Sequence, residues 1–325
     1  MSTMEVPEEL TSTAPEADLE EVSFDDINSD ILHIDGDIIL YRPCCVLNDD
    51  SDYDRSKIAE IIENQIADMM REAGCSSYRI FLTTNTNFRD HLVDDYKANR
   101  KDVERPINLK WAKKWAVANL EAVYHPYLEA DDLLGIWHGD NTVIWSLDKD
   151  LRQIPGKHLD DSTRKVITVS ALGKIQDHGK KVYFDGECGF YLQLLTGDSA
   201  DYIVGCGKRE ASVFKSGARK GESRVSRKGV GPKKALEIIR EAVLSVISLS
   251  DSVKLATVHA AVAREYQEVF GDEWQTQMET QANLLFMIRE QHGNVVKQWT
   301  FDGRDQYFDI VNGVVLHDWT PPTTD

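Results

Sequence analysis

Two short apolar runs of this chain each end in an Asp-x-Asp sequence. Ile31-Leu32-His33-Ile34 is followed by Asp35-Gly36-Asp37, and the run from Thr142 to Leu147 is followed by Asp148-Lys149-Asp150. Runs of this length and composition are typical of buried strands. Because ligands of α/β sheets collect beyond the carboxyl ends of the strands, we expect both acidic sequences to lie at one functional edge.

The surrounding pattern indicates the fold class. Arg55 to Ala73 carries apolar residues at helical spacing, and residues 78–82 and 166–169 are further strand candidates. Strands that alternate with helices are typical of parallel sheets. The sequence therefore predicts an α/β protein with a mostly parallel central sheet flanked by helices.

The second half of the chain has a different pattern. Helical segments dominate from about Phe190, and Asn312-Gly313 predicts a hairpin with a two-residue turn. The basic, Gly/Ser-rich stretch 216–228 is typical of a mobile loop. We expect four parts: an acidic tail over 1–30, an α/β core over 31–185, a helical region over 186–300, and a hairpin with a tail over 301–325.

Charge is unevenly distributed along the 325 residues, whose net charge is −18. The first thirty residues contain many acids and no Lys or Arg, which predicts a disordered tail. The segment from Lys208 to Arg240 is strongly basic. Net acidity therefore does not exclude a nucleic-acid ligand, but it predicts binding at a confined, salt-sensitive patch.

Other bulk features exclude several classes of protein. The five cysteines form no CxxC pair, which argues against a structural zinc site or a disulfide framework. No apolar stretch is long enough to cross a bilayer, and the amino terminus lacks the features of a secretory signal. We therefore expect a cytoplasmic protein without a membrane partner.

Four acidic clusters are candidates for metal binding. If Glu129 begins a helix, Glu129 and Asp132 share one face, and Asp198 and Asp201 have the same spacing at another predicted helix start. Oxygen ligands without His or Cys suit Mg²⁺ or Mn²⁺. One cluster alone is more often a solvated surface or a helix cap. Four together favour a cation site, because close carboxylates repel one another by roughly 1 kcal/mol per pair. The clusters are Asp35 with Asp37, Glu129 with Asp131 and Asp132, Asp148 with Asp150, and Asp198 with Asp201.

The order of motifs resembles the 5′-nuclease (flap endonuclease) family. The matching segments, in the family's own order, are HIDGDIILYR, NFRDHLVDDYKANR, LEADDLLG, WSLDKDLRQI, and LLTGDSADYIVG followed by KGVGPKKA. The similarity extends from about Ile31 to Ile239 and is closest to the stand-alone bacteriophage 5′-to-3′ exonucleases. Five motifs in sequence are far more specific than one short match.

The resemblance implies a PIN-like/5′-nuclease core and a phosphodiester hydrolase with two Mg²⁺ or Mn²⁺ ions. Its substrates would be duplex DNA with a 5′ end, flaps or RNA–DNA hybrids, in phage DNA replication or degradation in the bacterial host cytoplasm. Asp37 falls at a variable family position, and Thr84 stands where the family often has Asp. The implied metal ligands are Asp35, Glu129, Asp131, Asp132, Asp148, Asp150, Asp198 and Asp201.

The resemblance also implies substrate contacts. Lys97 and Arg89 would act beside the active site, Tyr96 and Arg100 would contact DNA, and residues 85–120 would form a helical arch. Region 186–300 would contain a helix-hairpin-helix, with a basic insertion over 207–228 that departs from the compact family pattern. The hairpin would bind the DNA backbone, with K⁺ as a further candidate ligand, through Gly229, Gly231, Lys233 and Lys234.

Two alternatives remain open. The first is a PIN-like ribonuclease, against which the arch and hairpin motifs argue. The second is a non-catalytic, structure-specific DNA-binding protein, against which the near-complete acidic set argues. We expect a monomer in each case.

Overall fold

A computed structural model describes residues 28–100, 103–177, 182–213, 221, 223–317 and 319–322. Most of the predicted acidic tail lies outside this part of the chain. Its last three residues do not belong to a tail, because Asn28 to Asp30 begin the first strand. Asp30 is buried and forms an ion pair with Lys157, so the fold begins earlier than charge alone predicted.

A six-stranded sheet forms the centre of the amino-terminal half, in the order β3-β2-β1-β4-β5-β6. Every neighbouring pair is parallel except β5 and β6, which are antiparallel. The prediction of a mostly parallel α/β sheet is therefore confirmed. The strands are β1 Asn28–Asp35, β2 Cys75–Leu82, β3 Val123–Tyr124, β4 Thr142–Trp145, β5 Gly156–Asp160 and β6 Lys165–Val169.

Helices cover both faces of this sheet. Because successive side chains of a strand point to opposite faces, Val143 and Trp145 of β4 join one core and Ile144 joins the other. The first core contains residues of α1, α2 and α3, and the second contains residues of α4. These helices are α1 Gly36–Val46, α2 Asp52–Ala73, α3 Leu109–Asn119 and α4 Ala130–Trp137.

The segment predicted as an arch, 85–120, contains two short 3₁₀ helices, at Phe88–His91 and Ala98–Arg100, and then α3. Ala112 and Ala116 of α3 are fully buried in the first core. The carboxyl-terminal third of this segment is therefore a core helix, because small residues let it approach α1 and α2 closely.

The region after β6 begins with a two-stranded sheet and then a group of helices. The helices enclose a third core, in which α5 is buried almost all round. The two-stranded sheet consists of β7 Ile175–Asp177 and β8 Val182–Phe184. The helices are α5 Gly186–Thr196, α6 Pro232–Ser245, α7 Asp251–Phe270 and α8 Trp274–Leu285.

An antiparallel hairpin lies between α5 and α6, formed by β9 Gly207–Val213 and β10 Ser223–Gly229. The prediction of a mobile loop over 216–228 is wrong for Ser223 to Lys228, which pair with β9. Its remaining part, apart from Gly221, lies outside the described residues.

A four-stranded antiparallel sheet follows, made of β11 Gln291–His292, β12 Val295–Lys297, β13 Tyr307–Asp309 and β14 Val314–Leu316. It crosses the expected limit at residue 300, and its Val296 and Phe308 belong to the second core. The hairpin loop has four residues, since Asp309 pairs with Val314. The prediction of a two-residue turn was wrong, because Ile310 is buried in the core and does not extend the strand. No described helix is long and apolar enough to span a membrane.

Candidate active site

A cavity of about 720 Å³ opens at the carboxyl edge of the central sheet. Its acidic lining comes from the ends of β1 and β4, the 3₁₀ helix Phe88–His91, the start of α4 and the turn after α5. Five of the eight predicted metal ligands line it, together with Asp37 and Asp90. The lining carboxylates are Asp35, Asp37, Asp90, Glu129, Asp131, Asp148 and Asp201.

Asp35 and Asp148 are connected through Ser146, the residue directly after β4. Ser146 Oγ donates to Asp35 Oδ2 at 2.7 Å and accepts from the backbone N–H of Asp148 at 2.9 Å. Asp35 Oδ1 also caps the start of α1, accepting from the N–H of Asp37 at 3.1 Å. Burial, followed by the neighbouring Asp37 and Asp148, raises the pKa of Asp35 to about 7.

Asp131 faces the same two strand ends from the first turn of α4. Burial, followed by the charges of Asp35 and Asp148, raises its pKa well above the ordinary value. The three carboxylates therefore repel one another in a partly desolvated space. A cation would relieve this repulsion, because opposite charge favours the ionised form of each group.

Glu129, unlike these three aspartates, is surrounded by cationic side chains. Its carboxylate accepts a hydrogen bond from Tyr96 Oη at 2.8 Å and forms ion pairs with Lys97 and, at 3.4 Å, with Arg89. Burial would raise its pKa, but Lys97 and Arg89 outweigh burial and lower the pKa to about 2. Glu129 is thus an ionised anchor for the cations around it.

Tyr96 is 5% exposed and packs in the third core. Its hydroxyl is committed to Glu129. Tyr96 also lines the acidic cavity, but little of its side chain is exposed for the predicted DNA contact. Its hydroxyl instead fixes the orientation of the Glu129 carboxylate.

Lys97 projects into the cavity between Glu129 and Asp201, with its Nζ 3.4 Å from Asp201 Oδ2. Burial opposes its charge, but Glu129 and Asp201 prevail and raise the pKa of Lys97. Its backbone has φ +51°, a left-handed conformation that is strained for a lysine. The bond from its N–H to the carbonyl of Asp201, at 3.0 Å, ties this segment to the turn after α5. Arg100 also pairs with Asp201.

Arg89 and Asp132 lie behind the cavity wall and do not line it. Arg89 donates to both Asp132 oxygens, at 2.6 and 2.8 Å, and to the carbonyl of Phe286 at 2.8 Å. Asp132 Oδ1 also accepts from the N–H of Ile288 at 3.1 Å. Neither the metal-binding role predicted for Asp132 nor the catalytic role predicted for Arg89 has a supporting contact. The pair instead joins α4 to the segment after α8.

Asp150 and Asp198 also lie outside the cavity lining. Asp150 pairs with Lys149, and its N–H donates to Asp148 Oδ1 at 2.9 Å. Asp198 Oδ1 accepts from the N–H of Ala200 at 2.7 Å. Asp198 and Asp201 do not begin a helix as predicted, since Asp198 pairs with Ile203 to close a turn. Within the described residues, no three His, Cys, Asp or Glu side chains lie close enough together to hold a metal ion as they stand.

Two further side chains shape the cavity, and sequence reasoning had assigned a role to neither. Ser146 lies inside the WSLDKD motif, so its place beside two aspartates was a usable signal. Lys113 of α3 donates to Asp37 Oδ1 at 2.6 Å and to the carbonyl of Thr83 at 2.7 Å. No sequence spacing signals that contact, because 76 residues separate the partners. Thr84 lines the cavity and donates to the carbonyl of Pro126 at 2.8 Å.

A second cavity of about 560 Å³ adjoins the acidic one and shares Thr83, Thr84 and Lys113 with it. We call it the basic cleft. Its lining includes an apolar part from Leu109, Val117 and Tyr124, and four cationic side chains. No Asp or Glu is among the described residues that line it. The cations are Arg105, Lys110, Lys113 and Lys114.

The predicted DNA-binding turn precedes α6. Gly231 is the N-cap residue of α6 and has no side chain to cap the first N–H groups of the helix. Pro232 is the first helical residue. A Cβ at Gly231 would meet nothing within 4 Å, so the space before the helix is open. Lys233 and Lys234 are exposed there, and Lys234 pairs with Glu265 of α7. Helix starts of this kind attract anions.

Fold and site together define an α/β protein with an acidic cavity at the carboxyl edge of its sheet. No protein-family model matches the sequence, and no curated protein is significantly similar to it. Among solved structures, the chain is similar to that of the T5 D15 protein co-crystallised with metal ions. The sequence identity is 15%, the TM-score is 0.42, and the match covers 79% of this chain and 100% of that chain.

Proposed function

We propose that this protein is a metal-dependent 5′-nuclease that hydrolyses phosphodiester bonds near the 5′ ends of duplex DNA or flaps. One observation carries the proposal: carboxylates from five separate segments line one cavity, beside the ammonium of Lys97 and a basic cleft. The order of the sequence motifs and their residue types also match those of the 5′-nuclease family. On the resemblance alone, we extend the proposal to RNA–DNA hybrids and to a role in phage DNA metabolism.

Asp35, Asp131 and Asp148 are the proposed core of the metal site. They share a partly buried space, offer only hard oxygen donors, and repel one another without a cation. Divalent ions bound there would activate water and neutralise charge on the reacting phosphate. Ser146 orients two of these ligands through its hydroxyl. Asp150 and Asp198 keep a place in the proposal only through the family motif.

Lys97 is the proposed residue for contact with the scissile phosphate. Its side chain is 23% exposed, so the ammonium is partly desolvated yet reachable from the cavity. Glu129 and Asp201 hold it in place and keep it protonated. A fixed positive charge in such a site stabilises negative charge that develops on a phosphate oxygen.

The remaining surfaces fit a polyanionic substrate. The basic cleft adjoins the acidic cavity, so a strand whose phosphate reaches the carboxylates can continue along Lys110 and Lys114. The open start of α6 offers backbone amides and Lys233 to a second stretch of phosphates. Both contacts address the backbone, which predicts little sequence preference.

A cleavage assay tests the proposal. A 5′-labelled duplex, a flap and an RNA hairpin are incubated with Mg²⁺, with EDTA, and with Asp148→Asn protein. Asp161→Asn is the matched control, since Asp161 is exposed and pairs with Arg164 on the turn between β5 and β6. We expect 5′ products from duplex or flap, lost with EDTA and with Asp148→Asn and retained with Asp161→Asn.

Other outcomes distinguish the alternatives. Cleavage of the RNA hairpin alone would favour a PIN-like ribonuclease. A second candidate is a structure-specific DNA-binding protein without turnover, because no three metal-ligating side chains converge within the described residues. Binding of the flap without cleavage in either Mg²⁺ or Mn²⁺ would establish that candidate. Undiminished cleavage by Asp148→Asn would refute the metal assignment.

A further inference from the structure

The guanidinium of Arg227, near the end of β10, is surrounded by backbone carbonyl groups. Its Nη2 donates to Leu195 O at 2.8 Å and to Cys206 O at 3.3 Å, and its Nη1 donates to Val230 O at 3.0 Å. Its Nε donates to Val204 O. Four of the five N–H groups of one side chain therefore bind four main-chain oxygens.

These oxygens come from both ends of the helix-hairpin-helix connection. Leu195 lies in the last turn of α5, where carbonyls have no partner within the helix and carry the negative end of its dipole. Val204 and Cys206 belong to the turn that follows, and Val230 directly precedes Gly231, the N-cap of α6. Convergent carbonyl dipoles repel one another unless a cation lies among them.

The backbone around Arg227 has no room to relax. Gly207 and Gly229 pair directly across the hairpin, and a Cβ at Gly229 would lie 2.3 Å from the carbonyl oxygen of Cys206. Only glycine allows the two strands to approach this closely. The carbonyl group of Cys206 is therefore held in position, where it accepts hydrogen bonds from the N–H of Val230 at 3.1 Å and from Arg227.

The resemblance to 5′-nucleases implied K⁺ at this hairpin, and a group of backbone carbonyls is the chemistry that binds such an ion. The residues present do not fit one, because the N–H groups of Arg227 already occupy these oxygens. We propose that Arg227 takes the place of a monovalent cation here and holds the turn before α6 without bound K⁺. Arg227 is thus a positioning residue.

The position of Arg227 in the sequence supports this inference. Arg227 lies in the basic insertion 207–228, which departs from the compact pattern of the 5′-nuclease family. Other described cations of the insertion also point to protein groups: Arg209 pairs with Asp95 at 2.6 Å, and Lys228 pairs with Glu210. The inference rests on the proposed function only where it calls this turn a DNA contact. The role of Arg227 as the cation among the carbonyls concerns the stability of the fold and does not depend on nuclease activity.

The test compares melting temperatures at constant ionic strength in KCl, NaCl and tetramethylammonium chloride, whose cation is too large for a carbonyl cluster. We expect wild-type protein to melt at the same temperature in all three salts. Arg227→Met should melt about 5 °C lower or more, since it removes the cation and its four hydrogen bonds from these carbonyls. KCl should restore part of that loss and tetramethylammonium chloride none. Lys228→Met, which removes an equal charge from the same strand, should melt like wild type.

Each contrary result overturns a defined part of the inference. A wild-type protein stabilised selectively by K⁺ would show that an ion still binds the hairpin. An unchanged melting temperature for Arg227→Met would exclude a positioning role, and a lower one without selectivity among the salts would leave only a packing role. If Arg227→Met does not fold, Arg227→Lys is compared in the same salts. None of these readouts requires cleavage, so a failed nuclease assay leaves them interpretable.

Discussion

Arg89 and Asp132 form an ion pair that excludes solvent: their side chains are 4% and 0% exposed, and two N–H···O contacts of 2.6 and 2.8 Å join them. Asp132 also accepts from the backbone of Ile288, and Arg89 donates to the carbonyl of Phe286. The pair thus connects the helix that carries Glu129 and Asp131 to a distant part of the chain. The pair therefore stabilises the wall of the acidic cavity without lining the cavity itself.

The first prediction concerns this pair. Arg89→Met leaves a buried carboxylate without its cation, which costs about 3–5 kcal/mol of unfolding free energy. Urea denaturation followed by circular dichroism measures the loss. Arg71→Gln is the control, because Arg71 and Asp68 pair on the surface, where about 1 kcal/mol or less is expected. An Arg89→Met protein that has normal stability but no longer cleaves DNA would instead support the catalytic role predicted for Arg89.

The second prediction concerns Lys97. Lys97→Met should reduce the single-turnover rate of cleavage about 100-fold or more, because a fixed charge beside the reacting phosphate is lost. Lys149→Met is the matched control, since Lys149 also pairs with an aspartate but does not line the cavity. An equal loss of rate in both variants would point to general electrostatics and contradict a specific contact.

A third prediction follows from the crowding of Asp35, Asp131 and Asp148. In EDTA, Asp131→Asn should stabilise the protein by roughly 1 kcal/mol, since it replaces a carboxyl group whose ionised form is disfavoured by burial and by Asp35 and Asp148. In saturating Mn²⁺ the wild type should gain stability and the variant much less, because only the wild type keeps the full ligand set. Thermal unfolding with and without Mn²⁺ measures both effects. Destabilisation of the metal-free protein by Asp131→Asn would show that these carboxylates do not repel.

The fourth prediction is a dependence of stability on pH. His158 is 4% exposed, and its Nε2 lies 2.8 Å from the carbonyl oxygen of Ile154. Burial, aided by His138 and Arg152, lowers its pKa from 6.5 to about 4. Between these values the unfolded chain binds the proton and the folded protein does not, so the free energy of unfolding falls as pH decreases from 6.5 to 4. This group contributes on the order of 3 kcal/mol to that fall.

His158→Gln should flatten this part of the curve of unfolding free energy against pH, because glutamine keeps an N–H donor but does not titrate. His91→Gln, at an exposed position, is the control. Equal slopes for His158→Gln and wild type between pH 4 and 6.5 would contradict the assignment. Urea unfolding at several pH values provides the data.

Local sequence was sufficient for the elements that hold the site. The run that ends at Asp35 is a strand, Glu129 caps α4, and the apolar spacing of 55–73 predicted most of α2. Each of these depends on interactions between near neighbours in the chain, such as side-chain alternation and helix capping. The ends of parallel strands meet at one edge of a sheet, so the gathering of Asp35 and Asp148 also followed from sequence.

Only the tertiary structure decided which polar groups face the cavity. Asp131 and Asp132 are adjacent in sequence, yet one lines the cavity and the other is enclosed with Arg89, because successive helical residues point about 100° apart. Arg227 is likewise one of many basic residues in its segment, and only the fold places its guanidinium among four backbone carbonyls. A charge in the sequence has no fixed role until the fold determines whether its partner is solvent, substrate or a buried group.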